Sequence, residues 1–304
     1  MSRPLLFAAL LALTVTRTLA QMDAEIGLER DNLLLYEPIR LLVQLTNLSP
    51  DPLDLSRLSG EKPWLEVFIA RPDDTAVSRT EKPWVPPSAI LIPGQKRTLA
   101  TDLLPVFQVR EPGSYRIHVR VLFGGRTVAS RVLKFTVERG TSVWQQQVIL
   151  PPDPKATPPR PRARLYSLLV HLTGQTRDLF VRIQDPKEDR VFCTTHLGPF
   201  VNSSDLGAKV DREGGLHVLQ RAGARIFRYS HFTAMGKPFP QRLFSDMGSS
   251  PRLASLGNED VEVVGGEEVV MGSKEGKLEG LIPTAPVGQS PRDRPAPSLK
   301  RDGF

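Results

Sequence analysis

The chain has 304 residues, of which 40% are hydrophobic and 24% are charged, and its formal net charge is +7. This length and apolar content predict about two cored domains and exclude a fully disordered chain. The basic residues are scattered among strand-like segments instead of forming a patch with interleaved aromatic residues, which argues against a nucleic-acid-binding protein.

The N-terminus has the features of a secretory signal peptide. A positive start at Met1–Arg3 precedes an apolar run over residues 4–15, and small residues lead up to Ala20. Residues 1–20 are therefore predicted to be removed between Ala20 and Gln21, giving a secreted or periplasmic protein. An uncleaved anchor is the alternative, but the run is shorter than the roughly 20 residues that span a bilayer. No later apolar run is long enough to cross a membrane.

The segment Gly113–Phe123 is the clearest strand of the chain. Apolar and polar residues alternate along it, and successive side chains of a strand point to opposite faces. One face is therefore predicted to be buried and the other solvated. The same alternation predicts strands over residues 39–47, 64–69 and 126–137, and the strand over 126–137 is predicted to be the hairpin partner of Gly113–Phe123. Short strands between turn signals indicate a β-sandwich over residues 21–140.

Several motifs in this region resemble bacterial immunoglobulin-like domains of the branch without a disulfide. They are Glu37-Pro38-Ile39, Trp64-Leu65, Pro93-Gly94 and Gly113-Ser114-Tyr115. Tyr115 is similar to the tyrosine near the corner of many such sandwiches. The resemblance covers residues 24–138 and implies an immunoglobulin-like sandwich. It implies no particular function, because this fold serves adhesion, recognition and spacer roles alike.

Residues 141–163 are predicted to be a linker. Prolines crowd the stretch between 151 and 161, and such a composition favours an extended, stiff segment outside any central sheet. Residues 267–304 contain little apolar periodicity and much Gly, Pro and charge, so they are predicted to be a disordered tail. The only cysteine is Cys193, which excludes an intramolecular disulfide.

Residues 164–266 are predicted to form a second β domain from two similar hairpins. The apolar triplet at 216–218 follows the triplet at 179–181 by 37 residues, and each precedes a turn and another strand. With Asp211-Arg212-Glu213-Gly214 ahead of the second hairpin, the pattern resembles one or two blades of NHL- or kelch-type propellers. A closed propeller needs about four blades and this segment has room for two, so a hairpin-rich sheet with blade-like units is expected. Chance similarity between the hairpins is the alternative.

No convincing catalytic or metal-binding motif occurs, so the chain is predicted not to be an enzyme and to need no cofactor. Cys193 and His196 lie three positions apart, which places them on opposite faces of a strand and prevents a nucleophile–base pair. The five histidines are His118, His171, His196, His217 and His231, and none has helical metal-ligand spacing. His217 and His231 are interpreted as strand residues with satisfied hydrogen bonds.

The sequence therefore predicts an all-β, exported, non-catalytic protein of the envelope or the extracellular space. It consists of an immunoglobulin-like β-sandwich and a hairpin-rich β domain, and it binds an unidentified protein or glycan or has a structural role. Trp84 and Trp144 are the candidate contact residues, with packing at the edge of a core as the alternative. A protease inhibitor presenting the proline-rich loop over residues 71–87 and an enzyme using Cys193 are the other hypotheses.

Overall fold

The computed structural model describes residues 22–55, 63–123, 126–150, 162–257 and 260–269. Within these ranges every regular element is a β-strand, which confirms the all-β prediction. The strands fall into two compact units that divide between Arg139 and Gly140. The predicted signal peptide and most of the predicted C-terminal tail lie outside the described residues. The described residues contain no helix long and apolar enough to span a bilayer.

Unit 1 contains two main sheets. Its strands are β1 (Met22–Leu28), β2 (Asn32–Leu34), β3 (Arg40–Asn47), β4 (Leu53–Asp54), β5 (Leu65–Ala70), β6 (Ile90–Leu91), β7 (Lys96–Asp102), β8 (Gly113–Phe123), β9 (Arg126–Ala129) and β10 (Leu133–Glu138). One sheet has the order β1-β3-β7, the other has the order β2-β10-β8-β5 with β9 also paired to β8, and β4 pairs with β6. Apart from the parallel β2–β10 pair, the strand pairs of this unit are antiparallel.

One apolar core lies between these two sheets. Leu41 and Val43 of β3 share it with Ile117 and Val119 of β8, and all four side chains are buried. Along β8 the buried residues alternate with Arg116, His118 and Arg120, which are half-buried or exposed. The predicted two-faced character of this strand is therefore confirmed.

The strand that returns after β8 is interrupted, which the sequence did not predict. β9 pairs with the end of β8 and β10 pairs with its beginning, and the register shifts by one residue between them. Ser130 lies in the interruption, where its N–H donates to the Val119 carbonyl and its hydroxyl accepts from the Val119 N–H, both at 3.0 Å. The serine side chain thus replaces a ladder partner that the bulge removes.

Unit 2 is built from antiparallel meanders. Its strands are β11 (Thr141–Leu150), β12 (Arg162–Thr173), β13 (Thr176–Asp185), β14 (Arg190–Pro199), β15 (Leu206–Val210), β16 (Leu216–Arg221), β17 (Ile226–Phe232), β18 (Arg242–Ser245), β19 (Arg252–Ser255), β20 (Val261–Val264) and β21 (Glu267–Glu268). The sheets are β11-β12-β13-β14, β15-β16-β17-β18-β21 and the hairpin β19-β20. Propeller blades are four-stranded meanders, and β11–β14 and β15–β18 follow that strand order, with β21 added to the second, so the arrangement is propeller-like.

Two boundaries in this unit differ from the prediction. The first ten residues assigned to the linker form β11, which pairs with β12 along its length, because the prolines begin only at residue 151 and the apolar and β-branched residues before them suit a strand. The remaining proline-rich stretch, residues 151–161, lies outside the described residues. The predicted tail begins with β21, and the Val269 N–H donates to the Leu243 carbonyl.

The two similar hairpins do not occupy equivalent places in their sheets. Residues 179–181 lie in β13, the third strand of the first meander, whereas residues 216–218 lie in β16, the second strand of the next. The 37-residue offset therefore relates strands that hold different positions in their meanders, and not equivalent strands of two blades. Similar apolar triplets arise because each of these strands is buried on both faces.

The core of unit 2 joins the first two meanders. Val181 of β13 and Val218 of β16 belong to the same apolar cluster, and a second cluster containing Leu219 lies on the other side of β16. Polar contacts connect the same sheets, since the Tyr166 hydroxyl donates to the Gly214 carbonyl at 2.7 Å. Arg164 is 3% exposed at its side chain, and its Nη1 lies 2.9 Å from Asp185 Oδ2.

Candidate functional site

Two edge strands of unit 2 line a pair of neighbouring clefts. β11 and β15 each end a sheet. A cleft of about 500 Å³ lies between Trp144 of β11, the length of β15 and the start of β19. A second cleft of about 370 Å³ lies between Gln146 and Val148–Leu150 of β11 on one side and residues 210–212 on the other. The clefts follow one another along both strands, since the second is lined by later residues of each, and together they are called the edge groove.

β11 presents an open backbone edge beside this groove. The strand is ten residues long, seven of which are exposed, and within the described chain it hydrogen-bonds only to β12. Its register shifts between Ser142 and Trp144, as at many sheet edges. The outer N–H and C=O groups of such a strand are a template for pairing with a further strand. The edge groove can therefore accept an extended polypeptide.

The groove carries positive charge that the described chain does not neutralise. Lys209 donates to the Ser255 hydroxyl at 3.0 Å, and among the described residues neither Lys209 nor Arg252 has a carboxylate partner. Asp205, the acidic residue of the larger cleft, is already paired. Hydrogen bonds from Arg221 and Asn202 hold the pKa of this carboxyl below its usual value. The charges left over favour acidic groups in a bound molecule.

The structure separates the two tryptophans that the sequence singled out. Trp144 is half-buried, packs against the core of unit 2 and lines the larger cleft. Trp84 is also half-buried and packs against the core of unit 1, and its indole Nε1 is buried without a hydrogen-bond acceptor among the described residues. Of the two, Trp144 is the one placed where a partner could contact it.

Cys193 and His196 are not brought together. The sulfur of Cys193 faces Gly236, where a Cβ would lie 2.7 Å from Sγ. Burial raises the pKa of this thiol, so that it is protonated and weakly nucleophilic at neutral pH. His196 lies along β14 with its Nε2 3.4 Å from Asp178 Oδ1 and its ring against Phe180. The described contacts of Cys193 thus include no histidine.

The proline-rich loop over residues 71–87 is held by many hydrogen bonds. Thr80 donates its N–H to the Val106 carbonyl at 2.7 Å, and Arg79 donates to the Val67 carbonyl at 2.9 Å. Arg116 of β8 bonds to the carbonyls of Arg71 and Pro72 and to the Asp74 carboxylate. The first part of the loop is therefore an ordered extension of the β5–β8 sheet.

A polar cluster that the sequence did not predict lies at β16 and β17. His217 and His231 are direct cross-strand partners with stacked rings, and Asp211 precedes β16. His217 Nε2 lies 2.9 Å from Asp211 Oδ2, and His217 Nδ1 lies 2.7 Å from the Tyr229 hydroxyl. The two histidines are 14 residues apart, and the alternation along each strand was the available signal. To predict that they meet, one also needs the pairing register of the two strands, which local patterns do not give.

Comparison with known proteins gives no family. No family model matches the chain, and no curated protein matches it. Among solved structures it is similar to a Pseudomonas fluorescens alkylpurine DNA glycosylase, AlkC, bound to DNA containing an abasic site analog. The identity is 17%, the TM-score is 0.25, and the match covers 39% of this chain and 31% of that one. The chain thus spans about a third of that protein's length, and a similarity at this TM-score supports no inference about fold or activity.

Proposed function

We propose that the chain is an exported, non-catalytic binding protein that holds an extended polypeptide in the edge groove. The observation that carries the proposal is the ten-residue open edge of β11 beside the cleft at Trp144. A bound segment would extend the first meander by one strand. Main-chain hydrogen bonds would then supply affinity, while the clefts would select the side chains that point into them.

The chemistry of the groove supports a partner with acidic and apolar side chains. Trp144 and Val148 offer apolar surface from β11, and Leu206 and Ala208 offer it from β15. Lys209 and Arg252 offer positive charge, since neither has a carboxylate partner within the part of the chain that the structure describes. Strands alternate between two faces, so a segment that alternates apolar residues with Asp or Glu would fit both features. A glycan lacks the backbone donors and acceptors that an open strand edge pairs with.

We infer that unit 1 is an immunoglobulin-like sandwich. A structural module of this kind is consistent with the proposed binding role. Two sheets enclose one core, and the Tyr115 hydroxyl donates to the Glu111 carbonyl four residues upstream at 2.6 Å. A tyrosine that bonds back to the preceding backbone is the corner feature of that fold. Such domains serve as spacers and recognition modules, in keeping with a non-catalytic role.

The groove is tested with the whole chain and a displayed library of random peptides. We expect enrichment of peptides that alternate apolar residues with Asp or Glu, and a change in tryptophan emission when a synthetic copy binds. Trp144→Phe should abolish the change, whereas Trp84→Phe should retain it. Lys209→Glu should weaken binding about tenfold, equivalent to about 1.4 kcal/mol, and the exposed Lys96→Glu in unit 1 should not.

Three outcomes of the binding assays with the library, the tryptophan variants and the glycan array would overturn the proposal, and a fourth concerns the charge control. They are a library without enrichment, equal emission changes in the two tryptophan variants, and binding to a glycan array with no selected peptide. Loss of binding in Lys96→Glu as well would show that net charge, and not the groove, attracts the peptide.

A further inference from the structure

The cluster of Asp211, His217 and His231 combines groups from three places in one sheet. Asp211 lies in the turn between β15 and β16, and the two histidines face each other across β16 and β17. One carboxylate oxygen and one ring nitrogen from each histidine lie within 4.8 Å of one another. The side chain of Asp211 is 14% exposed and that of His231 is 24% exposed, so solvent reaches the cluster.

The turn before β16 fixes the carboxylate. Asp211 Oδ1 accepts the N–H groups of Glu213 and Gly215 at 2.9 and 2.7 Å, which leaves Oδ2 for the histidines. Burial alone would raise the pKa of Asp211, but the hydrogen bonds from His217 and these backbone groups outweigh it and lower the pKa. The turn therefore directs Oδ2 towards His217 and leaves it available to a cation.

The hydrogen bonds of His217 suit a ring that exchanges a proton for a metal ion. When Nε2 carries the ring proton of His217 and donates it to the Asp211 carboxylate, Nδ1 accepts from the Tyr229 hydroxyl. If a cation took the place of the Nε2 proton, Nδ1–H could donate to the same hydroxyl oxygen. A partner that orients the far nitrogen of a ligating histidine is the usual support of a metal site.

Gly215 lies where a larger residue would not fit. Its φ lies outside the left-handed region, and a Cβ there would meet His231 Nε2 at 2.8 Å and Asp211 Oδ2 at an even shorter distance. The backbone would accept another residue, and the converging side chains would not. Asp211 and His231 therefore border a position from which a side chain has been left out.

The rings of the histidines define what must move on binding. His231 lies between His217 and Phe239, with centroid separations of 4.2 Å on each side and nearly parallel planes. Imidazole ligates through an in-plane lone pair, so His231 must turn out of this stack to share an ion with His217. Phe239 is 46% exposed, which leaves the solvent side of the stack open to that rotation.

The separations from Asp211 Oδ2 to the two histidine nitrogens fit one ion. Asp211 Oδ2 lies 2.9 Å from His217 Nε2 and 4.0 Å from His231 Nε2. An ion that binds each ligand at about 2.0–2.1 Å spans up to about 4 Å between two of them.

We infer that Asp211, His217 and His231 form a binding site for a divalent transition-metal ion of the Zn²⁺ type, completed by water. Two imidazoles and a carboxylate are ligands that Zn²⁺ and its neighbours in the first transition row accept. The inference does not depend on the peptide-binding proposal. Because Asp211 also lines the smaller cleft, substitutions at the histidines test the metal site by itself.

The test uses the whole, tag-free chain after treatment with a chelator, with Zn²⁺ and Co²⁺ as probes. We expect one equivalent of Zn²⁺ to bind in calorimetry, and Co²⁺ to give a visible ligand-field spectrum that Zn²⁺ displaces. His231→Gln should weaken Zn²⁺ at least tenfold and remove the Co²⁺ spectrum. Tyr229→Phe should weaken Zn²⁺ by about 10-fold, the lower end of the effect of outer partners.

His118→Gln is the matched control. His118 is also stacked on a phenylalanine, Phe68, at 4.9 Å between centroids, but it lies in unit 1 and far along the chain from the cluster. This variant should bind both ions like the unaltered chain. Zn²⁺ should also raise the melting temperature of the unaltered chain and of His118→Gln, but not that of His231→Gln. Equal binding by the two histidine variants, or no stoichiometric binding by a folded chain, would overturn the inference.

Discussion

Single residues in unit 2 join sheets through buried polar contacts, and Tyr166 is the clearest example. Its side chain has no solvent exposure, and its hydroxyl donates across the core to the Gly214 carbonyl. Burial raises the pKa of Tyr166 to about 12, above the value of 10.0 for an exposed tyrosine. The folded chain therefore holds the neutral phenol over a pH range in which the unfolded chain would release its proton.

This difference predicts an alkaline loss of stability. A folded pKa above the unfolded one stabilises the folded chain fully below about pH 10, and the contribution is lost as the pH rises through about 12. Tyr166→Phe should remove that part of the pH dependence and should cost about 1 kcal/mol at neutral pH through the lost hydrogen bond. Urea unfolding of both proteins at pH 8 and pH 11.5 measures this. An equal loss of unfolding free energy between the two pH values in both proteins would refute it.

The sequence predicted the burial of a residue well where the neighbours along the same strand determine it. The alternation in β8 predicted the buried Ile117 and Val119 because a strand with one wet face repeats every two residues. It could not predict the contact between Asp211, His217 and His231. Those residues meet through the register of β16 against β17, and each looks locally like an ordinary strand or turn residue.

At the scale of elements, the bulge between β9 and β10 depends on one hydroxyl. Val119 is fully buried, and its N–H finds the Ser130 side chain where the ladder is interrupted. The sequence predicted one continuous return strand over residues 126–137, because Ser130 and Arg131 do not break the apolar alternation strongly enough to reveal a bulge. Its location requires the pairing on both sides of the interruption.

Replacing that hydroxyl should therefore destabilise the sheet. Ser130→Ala leaves the Val119 N–H buried and unpaired, which we expect to lower the free energy of unfolding by about 1–3 kcal/mol. Ser130→Thr retains the hydroxyl and should stay within about 0.5 kcal/mol of the unaltered chain. Chemical denaturation of the three proteins provides the comparison. A Ser130→Ala chain as stable as the Thr variant would show that water replaces the hydroxyl.

The assignment of β11 to a linker shows how composition can hide an element. The prolines at 151–161 extended the predicted linker backwards over a segment that contains none. That segment has three adjacent glutamines and seven exposed residues, so it lacks the apolar face by which the other strands were recognised. An edge strand is specified by backbone pairing with β12, and its side chains carry little of that information.

At the scale of the whole molecule, length and composition predicted two β units, and the described residues divide in that way. Each unit has its own apolar clusters. The chain has one cysteine, so packing and hydrogen bonds must hold both units without an intramolecular disulfide.

Export itself predicts a specific mature end. If residues 1–20 are a cleaved signal peptide, the protein recovered from the periplasm or medium of an expressing cell should begin at Gln21. Intact-mass measurement and N-terminal sequencing decide this. Ala20→Tyr should block processing without affecting the fold, because a bulky residue does not fit the peptidase site. A full-length chain in the cytosolic fraction would argue against export.

The open edge of β11 also bears on how this protein can be stored and handled. An edge that accepts a foreign strand accepts the same strand from a second copy, and two such edges can meet around a twofold axis. Exposed Val143 and Ile149 would then lie in the shared seam. Concentrated samples should consequently form pairs, and at still higher concentrations precipitate, unless a peptide that occupies the groove is supplied as a stabilising additive.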